Sequence, residues 1–345
     1  MTSSVWSVND WDPLEEIILG TALGLGVPPV DVSVRHFFEP PEGAELEKVD
    51  TAVLQRVVDE TEEDFAELTH ILTAANVRVR RPDPLPYGQR FAALGWESAA
   101  MHALMPRDCL LVVEDKIIEA PMAMRARFFE VAPFRKLLGE YFDAGAHWLS
   151  APKPLLPDET YVYRPGESVV AELEPLFDAA NMLRCGADIF YNVSNSGNRR
   201  GAHWLRRVLG ERFRLHEISL CSDHLGTTLV ALRPGLLLAN SERLSPDSIP
   251  EPLRSWKTIW VDRPEDDGFA FEWPRASVWV GMNVLSIGPD QVVVPSNQMA
   301  LIRQLEAAGM TVVPARLRHG RTFGGGFHCC SLDVRRRGGD VVSYL

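Results

Sequence analysis

The chain has 345 residues, 46% of them hydrophobic, and a formal net charge of −12 at pH 7. A chain of this size can bury a large core without disulfides or a metal. Its charge argues against a nucleic-acid or anionic-membrane partner, and no apolar run reaches the roughly 18 residues that span a bilayer. We therefore expect a small-molecule substrate.

The cysteines are an odd number scattered through a long chain, a pattern that does not suggest a disulfide framework. They are Cys109, Cys185, Cys221, Cys329 and Cys330. The first residues, MTSSVWSVNDWDP, lack the charged and apolar regions of a signal peptide. We expect a reducing, cytoplasmic location, in which the thiols are available for chemistry.

The first half of the chain alternates apolar strand patterns with helical ones. The segment VWSVNDWDPLEEIILGTA leads to a predicted helix at about 52–75, which is followed by VRVRR. Residues 108–121, DCLLVVEDKIIEAP, indicate strand, turn and strand. Residues 133–145 predict an amphipathic helix that Gly145 closes, and HWLSAP follows as a strand.

The second half repeats this order. Residues 188–220 predict strand, turn, helix and strand, and residues 226–240 predict strand, turn and strand. Residues 277–315 predict a hairpin, a helix ending at Gly309 and a strand. No Gly/Ser-rich linker separates these segments, so we expect one domain over 1–345 built from about five units.

Units of this kind cannot each bury an apolar face alone, so they pack around one another, and five of them suggest a closed radial array with a central channel. The starts of corresponding strands converge near the axis of such an array. Chemically capable residues far apart in the sequence would then share one site. Those predicted at or near strand starts are Asp108, Asp178, His224, Ser277 and Cys329.

Six segments carry a resemblance to a known family: MPRDCLLV (105–112), IIEAPMAMRARFFE (117–130), SAPKP (150–154), FDAANMLRCG (177–186), GMNVL (281–285) and GGGFHCCSLDVRRRG (324–338). In these motifs the chain resembles the arginine:amine amidinotransferases, which include glycine amidinotransferase and the inosamine-phosphate amidinotransferases. The resemblance runs from about residue 5 to the C-terminus. It implies an α/β fold, the five-bladed pseudosymmetric α/β propeller of the pentein superfamily, with a central active-site channel.

The resemblance also implies catalytic roles. The nucleophile of the family falls on Cys329, its acid/base histidine on His224, and the carboxylate that orients this histidine on Asp178. Asp108 matches the aspartate that binds the donor guanidinium, and Arg243 an arginine that holds the donor carboxylate.

Two donor-binding positions depart from the family pattern. Ser277 matches one of two adjacent serines, but the other is Ala276 here. Gly226 stands where the family has a second guanidinium-binding aspartate, two residues after His224. Either arginine remains the donor and binds more weakly, or the space beside Gly226 accepts another donor, such as an N-substituted guanidine or a hydroxyguanidine.

The chemistry suits a cysteine and a histidine. A guanidinium carbon is resonance-stabilised, so attack on it needs a strong nucleophile and a proton for the leaving amine. Cys329 would attack and keep the amidino group as a thiouronium while ornithine leaves, and an acceptor amine deprotonated by His224 would then take the group. This ping-pong transfer needs no cofactor and no metal.

Each assignment has a plainer alternative. Asp108 and Asp178 could cap turns, and His224 could be a core histidine satisfied by its neighbours. For Cys330 we prefer a packing role, because neighbours on a strand point to opposite faces and only one thiol of the pair can enter a channel. For His328 we prefer a packing or hydrogen-bonding role to that of a ligand.

Three functions stay open at this stage: amidino transfer to an amine in secondary metabolism, a guanidine hydrolase of the same superfamily, and a non-catalytic binder. Transfer is preferred, because a binder is expected to lose the thiol or the histidine. The expected partners are a small guanidine donor and an amine acceptor, with neither nucleic acid nor membrane; a homodimer is left open.

Overall fold

The computed structural model describes residues 4–38, 50–84, 86, 88–162 and 169–345. The single-domain prediction over 1–345 includes residues outside these ranges. Within them, no helix is long and apolar enough to cross a membrane.

The strands in chain order are β1 (Leu14–Leu19), β2 (Arg78–Arg80), β3 (Arg90–Ala93), β4 (Trp96–Ala99), β5 (Leu110–Val113), β6 (Lys116–Glu119), β7 (His147–Ser150), β8 (Tyr161–Val162), β9 (Val169–Val170), β10 (Met182–Cys185), β11 (Asp188–Asn192), β12 (Arg214–Ile218), β13 (Leu229–Arg233), β14 (Leu236–Asn240), β15 (Lys257–Val261), β16 (Leu285–Gly288), β17 (Gln291–Pro295), β18 (Thr311–Ala315) and β19 (Ser331–Arg336). The α-helices are α1 (Val32–Phe38), α2 (Thr51–Ala74), α3 (Pro106–Cys109), α4 (Arg135–Asp143), α5 (Arg199–Leu209), α6 (Met299–Ala307) and α7 (Gly320–Phe323).

Five three-stranded sheets in the described ranges share one topology. In β5–β6–β7, β10–β11–β12, β13–β14–β15 and β16–β17–β18 the first two strands pair antiparallel and the last two parallel. The fifth sheet joins the two ends of the described chain, because β1 pairs antiparallel with β19 and parallel with β2. Mixed sheets combined with helices make this an α/β protein.

Helices supply most of the parallel crossovers. The helices α2, α4, α5 and α6 each connect two parallel strands of one sheet, whereas only short 3₁₀ turns lie between β14 and β15. The apolar side of α6, Leu301, Ile302 and Leu305, is buried as its spacing predicts. Gly145 and Gly309 have positive φ angles of 93° and 82°, which confirms their predicted roles as helix stops.

The structure corrects the predicted strand starts. The side chains expected there lie in or directly before short helical turns: Asp108 within α3, Asp178 before Ala179–Asn181, His224 before Leu225–Thr227 and Ser277 before Val278–Met282. The turns are closed by backbone bonds such as that from Thr228 N to Leu225 O, 2.8 Å long. A short buried apolar run has no periodicity that separates such a turn from a strand.

A buried ion network connects α3 with two of the sheets. Arg184 in β10 donates to Asp333 in β19 at 2.8 Å and to Asp10 at 2.5 Å. Arg107 in α3 donates to Asp333 at 2.7 Å, and Arg336 does so at 2.9 Å. Burial of charge is tolerated here because every cation has a carboxylate partner.

Candidate active site

One pocket collects side chains from the starts of several units. Six of the seven residues predicted for the site line it: Asp108, Asp178, His224, Gly226, Ser277 and Cys329. Ala276, at the position of the missing serine, lines it as well. The helical turns thus bring together residues that are up to 221 positions apart, since Cys329 and Asp108 share the pocket.

His224 lies between two aspartates. Its Nε2 is 3.1 Å from Oδ2 of Asp178, and its Nδ1 is 3.7 Å from Oδ1 of Asp108. The other oxygen of Asp178 accepts a hydrogen bond from the backbone N–H of Ala123 at 3.0 Å, which fixes the carboxylate. Burial lowers the pKa of His224, but the charges of Asp108 and Asp178 outweigh burial and raise that pKa above its usual value.

Asp108 is held from behind by an arginine. Arg127 Nη1 donates to Asp108 Oδ2 at 2.9 Å, and the same guanidinium forms two bonds with Glu130, of 2.5 and 2.7 Å. Burial raises the pKa of Glu130 to about 7, although Arg127 opposes the shift. Asp108 Oδ1 is buried without a hydrogen-bond partner in the described structure. It is therefore available to an N–H group of a ligand.

Cys329 lies in the turn 327–330 just before β19. Its backbone N–H donates to Asn283 Oδ1 at 3.0 Å. Burial, together with the charge of Asp108, raises the pKa of the Cys329 thiol to about 12. This pKa favours the thiol form at neutral pH, and a cation bound beside Cys329 would favour the thiolate.

The structure changes the reason for separating the two adjacent thiols. They lie in a turn and not on a strand, so alternation of strand faces does not apply. Cys330 is nevertheless only 1% exposed and is absent from the pocket lining, with Sγ 4.0 Å from Gly325 O. The prediction of a packing role for Cys330 agrees with this placement.

The glycine run allows the backbone to approach Cys329 closely. A Cβ on Gly325 would lie 3.0 Å from Cys329 Cβ and 2.7 Å from Met105 Cε. A Cβ on Gly326 would lie 2.6 Å from Cβ of Asn283. Side chains at these two positions would displace the turn that carries Cys329.

Gly226 lines the pocket, but the direction that a side chain would take from it is occupied. A Cβ at this position would lie 2.3 Å from Asn283 Nδ2, so the asparagine amide fills the volume beside it. The amide is oriented by its other atom, Oδ1, which accepts from Cys329 N–H. Nδ2 is buried and has no hydrogen-bond partner among the described residues.

Arg243 is the predicted site residue that does not line the pocket. Its Nη1 lies 3.1 Å from Asp223 Oδ1 and 2.9 Å from Thr228 Oγ1. Asp223 itself lines the pocket, which places Arg243 one side chain away from it. Contact between Arg243 and a donor carboxylate therefore stays a prediction.

Comparison with known proteins decides the family, although no family model matches the chain. The inosamine-phosphate amidinotransferase 1 of Streptomyces glaucescens is 46% identical over 334 residues, 96% of this chain and 96% of that protein. The L-arginine:L-lysine amidinotransferase of Pseudomonas savastanoi pv. phaseolicola is 38% identical and covers 100% of this chain and 97% of its own length. A solved inosamine-phosphate amidinotransferase from Streptomyces griseus superimposes with a TM-score of 0.93 at 44% identity, covering 99% of both chains.

The chain belongs to the amidinotransferase family. The resemblance inferred from the motifs is confirmed, as are the α/β pentein fold and an enzymatic activity of amidino transfer. These relatives do not support the hydrolase alternative or the non-catalytic binder.

Sequence reasoning assigned no role to three side chains that organise the site of this amidinotransferase. Arg127 supports Asp108, and Asn283 holds the backbone of Cys329. Arg107 Nε donates to His328 O, in the turn 327–330, at 2.8 Å. All three fall within the motifs MPRDCLLV, IIEAPMAMRARFFE and GMNVL. The motif positions were therefore a usable signal, but their contacts depend on tertiary structure.

Proposed function

We propose that this enzyme transfers the amidino group of L-arginine to a small amine through a covalent amidino-cysteine on Cys329, with release of ornithine. One observation carries the proposal: His224 is held between Asp178 and Asp108 in the pocket that Cys329 lines. A nucleophile, a proton carrier and a guanidinium-binding carboxylate are the groups that this transfer requires.

We further infer that the five three-stranded sheets form the blades of a propeller around a central channel. Their common topology supports this arrangement. So does the pocket, since its lining residues come from the first turn or strand of several sheets.

In the first half-reaction the donor guanidinium would bind with N–H groups directed at Asp108 Oδ1, the unpartnered acceptor. Its positive charge disfavours the imidazolium of His224 and favours the thiolate of Cys329. Cys329 Sγ bonds to the guanidinium carbon, and the bond from that carbon to the alkylated nitrogen breaks. His224 carries the thiol proton to this nitrogen, so thiol and guanidinium become thiouronium and amine.

The second half-reaction reverses these steps with a new amine. The acceptor nitrogen attacks the thiouronium carbon, and the carbon–sulfur bond breaks. His224 takes the proton that the acceptor loses and returns it to Cys329. Asp178 keeps the imidazole oriented in both directions through its bond to Nε2.

The donor remains arginine in this proposal, despite Gly226. The Asn283 amide occupies the volume into which a side chain at Gly226 would extend, which reduces the space on that side for a bulkier guanidine substituent. Loss of one contact between a carboxylate and the guanidinium would weaken arginine binding by about 10- to 150-fold, the range for a charge-assisted hydrogen bond.

We propose that the enzyme works in the cytoplasm, which the free state of all five cysteines supports. A homodimer stays a prediction, which a measurement of the molecular mass of the purified protein in solution would test.

The test is product analysis after incubation with arginine, with and without a panel of amino acids, aminocyclitols and diamines. We expect up to one equivalent of ornithine without an acceptor, and continuous ornithine release together with a new guanidine when the right amine is present. Citrulline as the main product, or no ornithine under any condition, would contradict the proposal.

A further inference from the structure

Two side chains in the pocket have buried N–H groups that the transfer mechanism does not use. They are Arg275, whose Nε and Nη1 are buried without a hydrogen-bond partner in the described structure, and His102, whose Nε2 is in the same state. Both line the pocket that contains Cys329. Buried polar groups are nearly always paired, so unpartnered donors that line a pocket point to a ligand.

Arg275 is a cation that packs against two aromatic rings. Its guanidinium lies over the ring of Phe38 at 4.8 Å and the ring of Trp273 at 5.1 Å. The described part of the chain places no carboxylate within ion-pair distance of it, in contrast to Arg127. Burial lowers the pKa of Arg275 to about 10, which still leaves it charged at neutral pH.

His102 is a neutral donor beside this cation. It is 1% exposed, and its Nδ1 lies 3.4 Å from the backbone N of Leu104 and 3.7 Å from Glu130 Oε1. Acceptance of the Leu104 N–H by Nδ1 favours the tautomer with the ring proton on Nε2. Burial and the nearby charges of Arg127 and Arg275 hold the pKa of His102 well below its usual value. It therefore offers a hydrogen bond without a second positive charge.

The pocket is lined by charged groups of both signs. Asp108 and Asp178 can bind a guanidinium, whereas Arg275 and His102 present unpartnered N–H donors. A planar guanidinium fork fits the paired oxygens of a carboxylate or a phosphate. We propose that Arg275 and His102 form a subsite for an oxyanion of a substrate, either the carboxylate of the donor or an anionic group on the acceptor amine.

This subsite rests on the proposed function, and the two half-reactions separate its possible occupants. The variants are Arg275→Gln and Arg275→Lys, with Arg207→Gln on the exposed side of α5 as a matched control. In the donor arm, ornithine release from arginine is compared with putrescine release from agmatine, which lacks the carboxylate. In the acceptor arm, the amidino-enzyme is mixed with O-phosphoethanolamine or ethanolamine, and with β-alanine or propylamine.

We expect Arg275→Gln to raise the KM of the anionic member in one arm by about 10- to 150-fold, with kcat and the uncharged member little changed. Arg275→Lys should recover part of the loss, and His102→Phe should act in the same direction more weakly. A rise in the KM for arginine assigns the subsite to the donor carboxylate. A rise in the KM for the phosphorylated or carboxylated amine assigns the subsite to the acceptor.

The subsite proposal would be overturned if Arg275→Gln changed the KM of charged and uncharged substrates equally, or changed neither. Melting temperatures of the variants separate a loss of packing between the two aromatic rings from a loss of binding. A wild-type protein that releases no ornithine contradicts the proposed function itself. Normal ornithine release with an unaffected Arg275→Gln variant removes the subsite alone.

Discussion

At the scale of single residues, neighbours with the same chemistry have different surroundings. Cys329 lines the pocket and Cys330 does not, although both are buried thiols in one turn. His224 has two carboxylates near its ring nitrogens, whereas His328 has one, with Nε2 3.7 Å from Asp10. Residue type alone does not distinguish these pairs, and the family motifs were needed to predict which member acts.

In the proposed mechanism, the pKa of His224 makes the donor half-reaction dependent on pH. Transfer of the thiol proton requires that Cys329 and His224 together hold one proton. At low pH the two residues hold two protons, because His224 is protonated as well. Because the pKa of His224 is raised, kcat/KM for arginine should fall as pH decreases through a value above 6.5. In Asp178→Asn, imidazolium loses a stabilising carboxylate, so this acid limb should move to lower pH.

The measurement is the pH profile of kcat/KM for wild type and Asp178→Asn, with Asp143→Asn on the exposed side of α4 as control. An acid limb that stays in place in Asp178→Asn would contradict the assignment to His224.

Gly226→Asp tests the volume beside the nucleophile. An aspartate Cβ would meet Asn283 Nδ2 at 2.3 Å, so the amide must move and release the backbone of Cys329. We expect the rate of cysteine modification by arginine to fall about 10-fold or more. In an Asn283→Ala background, Gly226→Asp should lower this rate little further, since both changes disturb the same contact between Asn283 and the Cys329 backbone. Tighter arginine binding with full turnover in Gly226→Asp would instead show that the position tolerates the aspartate.

At the scale of elements, periodic segments were predictable and short turns were not. The helices at α2, α4, α5 and α6 and the hairpins β5–β6 and β13–β14 agree with the apolar spacing. The helical turns that carry the site residues were expected as strands, because three to five buried residues show no period. Backbone bonds close these turns, such as that from Asn181 N to Asp178 O, 3.1 Å long.

Gly325→Ala tests how tightly the nucleophile turn is packed. The added methyl group would lie 2.7 Å from Met105 and 3.0 Å from Cys329 Cβ, so the thiol must shift. We expect a loss of kcat of about 10-fold or more, since small misplacements of reacting groups are costly. The control is Gly139→Ala in α4, where no atom lies within 4 Å of the new Cβ. Normal kcat in Gly325→Ala would show that this turn adapts freely.

At the scale of the whole molecule, the sequence indicated about five units in one domain, and the structure has five sheets of one topology. Periodicity could not show that β1 pairs with β19, because this pairing joins the two ends of the described chain. It also could not show which buried charges meet, since Asp10, Arg184 and Asp333 are each separated by more than 140 positions.

Asp333→Asn tests the ion network that connects the sheets. The change removes the carboxylate charge to which Arg107, Arg184 and Arg336 donate and leaves buried cations undercompensated. We expect the free energy of unfolding in urea to fall by about 3–5 kcal/mol. Asp290→Asn breaks an exposed pair with Arg233 and should cost less than about 1 kcal/mol. Equal costs for the two variants would contradict a stabilising role for the network.

The central claim, covalent transfer through Cys329, is tested most directly by peptide mass spectrometry after acid quenching of the enzyme with arginine and no acceptor. An amidino group should be found on Cys329 in wild type and in Cys330→Ala, with ornithine released in equal amount. Cys329→Ser should form no adduct and no product. An adduct confined to Cys330, or full turnover in Cys329→Ser, would contradict the account.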